Sequence, residues 1–212
     1  CELKKWDEAA VLSKKADHQS PDFQSYLGLM YINGWGVAKD ESEAVRWFHK
    51  AAEQGHVKAQ YYLGVCYYNG NGVLKDAAEA FRWYHKAAEQ GDMEAQCVLG
   101  WCYYNGDGVL KDDAEAVRWF RKAAEQGYAT AQCALGECYK YGEGVTKDTA
   151  KAVRWFRKAA EQGNARAQCN LGECYYNGEG VLKDVAEAIR WYRKAAEQGN
   201  EMATKVLRRV LR

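Results

Sequence analysis

Cysteine carries the most latent chemistry in this sequence, and its positions are periodic. Seven of the eight cysteines fall in two columns: Cys97, Cys133 and Cys169, and Cys66, Cys102, Cys138 and Cys174. Thiols at this density can form disulfides, ligate zinc or act as nucleophiles. Cys97 and Cys102 are five residues apart, which on a helix means about 140° of rotation and ~7.5 Å of rise. A bridge between them is therefore disfavoured. The pairs that geometry allows join adjacent helices, Cys66–Cys97, Cys102–Cys133 and Cys138–Cys169, and leave Cys174 opposite Lys205. The other reading is a set of small, buried, reduced hydrophobes. Met30 and Tyr61 hold the same two columns elsewhere, which favours the reduced reading.

Other reactive arrangements are weak. There is no C-x-x-C pair, and the histidines His18, His49, His56 and His85 are scattered, so no four ligands converge for zinc. His49 and His85 share a column that continues as Arg121, Arg157 and Arg193, the pattern of a solvated surface. Asn105-Gly106-Asp107-Gly108 lacks the bidentate acid that a calcium loop needs downstream, and reads as a turn. No phosphate loop, dinucleotide fingerprint or nucleophile elbow is present. The serines Ser13, Ser20, Ser25 and Ser42 all lie near the N-terminus. The expectation is no catalytic residue, no metal, no cofactor and no enzyme activity.

What positions these side chains is a repeat. Gly28, Gly64, Gly100, Gly136 and Gly172 are 36 residues apart, as are Trp47, Trp83, Trp119, Trp155 and Trp191, and Tyr31, Tyr67, Tyr103, Tyr139 and Tyr175. Five units follow without insertion, at 20–55, 56–91, 92–127, 128–163 and 164–199. Residues 1–19 read as an N-terminal capping helix and 200–212 as a C-terminal one whose surface is basic (Lys205, Arg208, Arg209, Arg212). The whole reads as one continuous domain.

Each unit reads as a helix hairpin. In the third, Asp92 caps a first helix carrying Ala95, Leu99, Cys102 and Tyr103 at helical spacing. Asn105 to Gly108 breaks it. Asp112 then starts a second helix, with Glu115 as capping-box partner, and Gly127 ends it. Asp40, Asp76 and Asp184 repeat that cap with Glu43, Glu79 and Glu187; at Asp148 the partner is Lys151, and a weaker cap is expected. Ser20 is expected to cap the first helix, with Pro21 in its first turn. A mid-helix glycine costs roughly 1 kcal/mol against alanine; its recurrence predicts a second helix packed close against it. The tryptophan and tyrosine columns are expected in the core. About twelve helices and no sheet follow: an all-α solenoid of helix hairpins.

The pattern A-x-A-Q-x-x-L-G-x-x-Y-x-x-G-x-G-V-x-K-D, followed by E-A-x-R-W-[FY]-x-K-A-A-E-Q-G, resembles the Sel-one-like repeat family (SLR), relatives of the tetratricopeptide repeats. The resemblance covers nearly the whole chain. It implies a right-handed superhelix with the first helices on the concave side, and adaptor roles in signalling, secretion, envelope assembly or protein quality control. Secreted cysteine-rich members carry disulfides, although the family pattern links other positions. The near-identity of the repeats also fits recent duplication or a consensus-like engineered sequence.

Columns that vary along one helix face are free to serve a ligand. In the first helices three such positions form a stripe: Asp22, Tyr26, Leu29; Lys58, Tyr62, Val65; Glu94, Val98, Trp101; Thr130, Ala134, Glu137; Arg166, Asn170, Glu173. Its apolar part, Tyr26, Leu29, Tyr62, Val65, Val98 and Trp101, is the candidate partner-binding site, with Trp101 foremost. The expected function is a protein-interaction scaffold or adaptor that takes a peptide or partner helix on its concave face. The alternatives are a cell-wall or β-lactam-related enzyme of the cysteine-rich type, or a purely structural or engineered repeat. A net charge of +1, from 30 basic and 29 acidic side chains, gives no reason to expect nucleic acid. No stretch has the ~20 apolar residues of a membrane helix. A monomer is expected. The chain begins at Cys1, which reads as a processed or truncated form; the compartment stays open, with a soluble cytoplasmic location preferred over the periplasm or secretion.

Overall fold

A computed structural model describes residues 19–210. The proposed capping helix at 1–19 lies outside them except for Gln19, as do Cys1, Ser13, His18 and Arg212. The described residues form helices and no strands: α1 (Pro21–Asn33), α2 (Glu41–Glu53), α3 (Val57–Asn69), α4 (Ala77–Glu89), α5 (Met93–Asn105), α6 (Asp113–Glu125), α7 (Ala129–Tyr141), α8 (Thr149–Glu161), α9 (Ala165–Asn177), α10 (Val185–Glu197) and α11 (Glu201–Val210). Two compact units divide them, one ending at Leu110 and one beginning at Lys111. In the first, α1 to α5 each pack on the next helix in sequence; in the second, α6 to α11 do the same.

The helix ends follow from short-range chemistry. Asp76 accepts hydrogen bonds from the amides of Ala78 (2.9 Å) and Glu79 (3.0 Å), satisfying donors that α4 leaves open. The expected reciprocal half of the capping box is absent. Asp76 N–H donates instead to Tyr67 C=O at 2.9 Å, and the Glu79 carboxylate turns to Arg82 at 3.1 Å. Because that partner position is not used for capping, Lys151 does not weaken the cap at Asp148. Asp148 still accepts from the Lys151 amide at 2.9 Å and pairs with its ammonium at 3.1 Å. Ser20 sits in the N-cap position with Pro21 following, but its hydroxyl makes no cap hydrogen bond. The carboxylate or amide oxygens of Asp92, Asn164 and Asn200 reach their targets at 2.9 Å; the serine hydroxyl is one bond shorter. At the other end, α3 stops where Gly70 takes φ +82°, and its N–H closes on Cys66 C=O at 2.8 Å.

In the hairpins of Gly28, Gly64, Gly136 and Gly172 a ring of the second helix lies on the mid-helix glycine of the first. A Cβ built on Gly64 would stand 2.7 Å from the Tyr84 ring, on Gly136 2.6 Å from Phe156, and on Gly172 3.0 Å from Tyr192; on Gly28 it would collide with Phe48. Glycine is required there by space, and the expected close packing is found. The fully buried interior consists of those rings, Leu63, Leu99, Leu135 and Leu171, and columns of alanine such as Ala80, Ala116 and Ala152.

The tryptophan and tyrosine columns sit further out than expected. Trp83, Trp119 and Trp191 are buried, whereas Trp47 and Trp155 are half-buried. Each indole carries a lysine ammonium from the next turn over its face, at 3.8–4.4 Å from the ring centroid in Lys122–Trp119, Lys50–Trp47 and Lys158–Trp155. Only Tyr139 of the tyrosine column is buried; its hydroxyl accepts from Arg121 at 3.0 Å. An amphipathic ring can keep one edge wet, so the core rests on the phenylalanine, leucine and alanine columns.

Two substitutions test this packing. In a helix interior Gly→Ala ordinarily stabilises by about 1 kcal/mol. Gly136→Ala should instead lower the melting temperature, because the methyl group displaces Phe156; a raised value would contradict the packing. Trp119→Ala should cost ~3 kcal/mol in chemical denaturation, at the low end for emptying a large site, since the lysine-covered face is not fully enclosed. An unchanged midpoint would place that column on the surface.

Candidate partner-binding site

Helical spacing puts the stripe residues on one side of each first helix, but packing divides them. Leu29 and Tyr62 lean on the core cluster that contains Phe48 and Leu63; the Tyr62 ring centroid lies 5.4 Å from that of Phe48. Tyr26 is half-buried. Val65, Val98 and Trp101 come together at the α3–α5 side of the first unit, around a cavity of about 250 Å³. Tyr68, Tyr84, Cys102 and Asp107 also line it, while Tyr26, Leu29 and Tyr62 do not. Val65 and Val98 also pack on a core cluster, that of Ala80, Tyr84 and Cys102; what sets them apart from Leu29 and Tyr62 is that they border the cleft as well.

Trp101 is held in place. Its ring meets Tyr104 edge-on, with centroids 5.5 Å apart and planes at 86°, and its indole hydrogen-bonds the Cys97 thiol one turn earlier. It remains half-exposed. A rigid, partly wet indole beside Val65 and Val98 has little ordering entropy left to lose on contact with another group. At the cavity's rim the Tyr68 hydroxyl lies 3.4 Å from the Asp107 carboxylate, which also accepts from the Asn105 amide at 3.3 Å. The charge of Asp107 pushes the Tyr68 phenol above its ordinary value.

Sequence reasoning missed Tyr68 and Asp107. Tyr68 was within reach of the same argument, since it lies three residues after Val65 and so extends the stripe by one turn. Asp107 belongs to a loop, and its approach to Tyr68 of the preceding repeat depends on how repeats stack.

In the second unit the stripe is closed by its own charges. Ala134 is buried. Glu137 takes a two-pronged bond from Arg166, at 2.6 and 2.8 Å, and a third from Asn170 at 2.9 Å. Lys140, buried where Tyr68 and Tyr104 stand in other repeats, pairs with Glu173 at 2.6 Å. Burial alone would lower the Lys140 pKa; the hydrogen bond and charge of Glu173 outweigh it and hold the ammonium charged. Lys58 of the first unit behaves alike, its desolvation outweighed by Asp92 at 2.8 Å and Glu94 at 2.6 Å.

The seven described cysteines are buried free thiols. Burial pushes Cys66, Cys97, Cys102, Cys133 and Cys138 up to about 12 and Cys174 to about 11, which suppresses thiolate and nucleophilic chemistry. His56 caps α3 by accepting from the Ala59 amide at 3.0 Å, so its other nitrogen is the one that donates to Asp22 at 3.2 Å. His49 and His85 sit 3.4 Å from Glu53 and Glu89 one turn on. Among the described residues no group of three metal-ligating side chains converges, and no helix is long and apolar enough to cross a membrane.

These features define an α-helical repeat protein whose units are helix hairpins. Five consecutive matches to the Sel1 repeat model, at 21–56, 57–92, 94–128, 129–164 and 165–200, show that the chain belongs to the Sel1 repeat family. Proteins of that family generally mediate protein–protein interaction and are generally non-catalytic. The chain is 42% identical, with a TM-score of 0.86, to a protective antigen of uropathogenic Escherichia coli strains displaying an SLR fold; the match covers 97% of this chain and 43% of that one. The chain thus spans less than half the length of that antigen. A Sel1 repeat protein from Oxalobacter formigenes is 40% identical, with a TM-score of 0.86 over 90% of this chain and 76% of its own. Cysteine-rich protein B of Helicobacter pylori is 28% identical, with a TM-score of 0.51 over 63% of this chain and 96% of its own. No curated protein sequence matches.

The thiols give a pH test. A group whose pKa is raised on folding contributes stability that is complete below its unfolded value and is lost as pH rises through the folded one. Thermal stability should therefore fall between about pH 9 and 12, and a disulfide reagent at pH 8 should label the native chain far more slowly than the denatured one. Rapid native labelling would show that the cysteines are accessible.

Proposed function

We propose that the chain is a non-catalytic, monomeric interaction scaffold that seats a peptide or partner helix on the first-helix face. The observation that carries this reading is the cleft where Val65, Val98 and Trp101 converge beside Tyr68. It combines rigid apolar anchors with a polar rim, the arrangement in which a few side chains supply most of the affinity. Leu29 and Tyr62 support the site by packing on the Phe48–Leu63 cluster, and half-buried Tyr26 extends the proposed stripe. The general interaction role of Sel1 repeats supports the same reading. The buried, protonated thiols and the absence of a converging nucleophile–base set among the described residues weigh against the enzymatic alternative.

Selection of peptides from a displayed library on the full chain supplies a ligand for the test. Trp101→Ala should weaken binding of the selected peptide by ~2 kcal/mol or more, with stability changed by no more than ~1 kcal/mol, because the indole is half-exposed at the wall of the cleft. A collapse in stability with affinity per folded molecule intact would make Trp101 a core residue and remove the site.

A further inference from the structure

We infer that the Trp101 cleft selects a basic side chain of the partner, an arginine or lysine, held between aromatic rings and the Asp107 carboxylate. This rests on the docking reading above and specifies the chemistry of what docks. The cleft is not uniformly apolar: Tyr68, Tyr84 and Trp101 give it three aromatic walls, and Asp107 gives it an anion. Asp107 accepts from the neutral groups of Tyr68 and Asn105, yet no ion pair engages it among the described residues. Every stripe carboxylate that the second unit half-buries, by contrast, has its own cation: Glu137 has Arg166 and Glu173 has Lys140. A carboxylate beside ring faces, in a partly dry cleft, attracts a guanidinium or ammonium both by charge and by the ring quadrupole.

The second unit has a corresponding recess with a cationic residue in its lining. Three repeats after the Trp101 cleft, in register, Tyr176 and Tyr192 replace Tyr68 and Tyr84, Glu173 replaces Val65, and Arg209 stands where Trp101 stood. That cavity, about 310 Å³, is thus lined by two tyrosines, an acid and an arginine of the chain itself. The Trp101 cleft keeps the tyrosines and supplies an acid from the loop, but no cation lines it. Lys75 lies 5.6 Å from the Tyr68 centroid and outside the cavity lining; it marks Tyr68 as a ring that a cation approaches.

The test uses the full ¹⁵N-labelled chain and three blocked tripeptides, glycine–X–glycine, with X arginine, citrulline or norleucine. The Trp101 indole resonance is assigned from its loss in Trp101→Phe. The arginine peptide should shift that resonance and bind roughly five-fold or more tighter than the citrulline peptide, which has the same shape without the charge. Asp107→Asn should erase the preference while leaving the melting temperature unchanged. Equal affinity for arginine and citrulline, a preference that survives Asp107→Asn, or no shift with any peptide would overturn the inference. Tighter binding of norleucine would also overturn it, while leaving the cleft standing as an apolar docking site. The wild-type comparison among peptides stands even if the variant folds poorly.

Discussion

The structure depends on a steric constraint: at Gly28, Gly64, Gly136 and Gly172 the first helix of a hairpin gives up a side chain so that a ring of the second can lie against its backbone. Gly64 beneath Tyr84 and Gly136 beneath Phe156 leave no room for a methyl group. A mid-helix glycine costs roughly 1 kcal/mol, and full burial of a large side chain returns roughly 1.5–3 kcal/mol, so the exchange favours close approach. With the ring fixed, the leucine column of the first helix and the alanine columns of the second are turned inward together. The stripe on the first helix is then left half-buried at the margin of that core.

Hairpins are joined by a second recurring device. Buried Gln60 donates to Ala52 C=O at 3.2 Å, at the C-terminal end of the preceding repeat's second helix, and accepts from Gln90 of its own repeat at 2.7 Å. Gln132 and Gln168 do the same with Ala124 and Ala160 at 3.1 Å. One side chain thereby satisfies an otherwise open helix-end carbonyl and fixes the register of successive repeats. The thiols fill the remaining small gaps without reactive chemistry, which is why a cysteine-rich interior need not be a redox or metal site.

Much of this was legible in the sequence. Glycine, proline and aspartate punctuation set the helix limits, and periodicity set the repeat. The glycine column announced the close contact, since nothing else explains a residue unfavourable in helices at every such position. What was not legible depended on neighbours in space. Leu29 and Val65 occupy equivalent positions and each packs on a core cluster, yet Val65 also borders the cleft and Leu29 does not. Lys151 looked like a damaged capping box because the pattern implies reciprocity; in the structure the backbone amide of Asp148 is already taken by Tyr139 C=O at 2.9 Å. Asp107 read as a turn residue and is one, but its second role exists only once Tyr68 of the preceding repeat lies 3.4 Å away.

The second helix of a hairpin supplies the buried ring, and the stripe of the first is the face proposed to meet a ligand. Hydrogen–deuterium exchange of the full chain, with and without a peptide selected on it, tests that division most directly. Slowed exchange concentrated in α3, α5 and the loop at 106–110 is the predicted result. Protection concentrated instead in α2 and α4, on the lysine-covered tryptophan face, would contradict it.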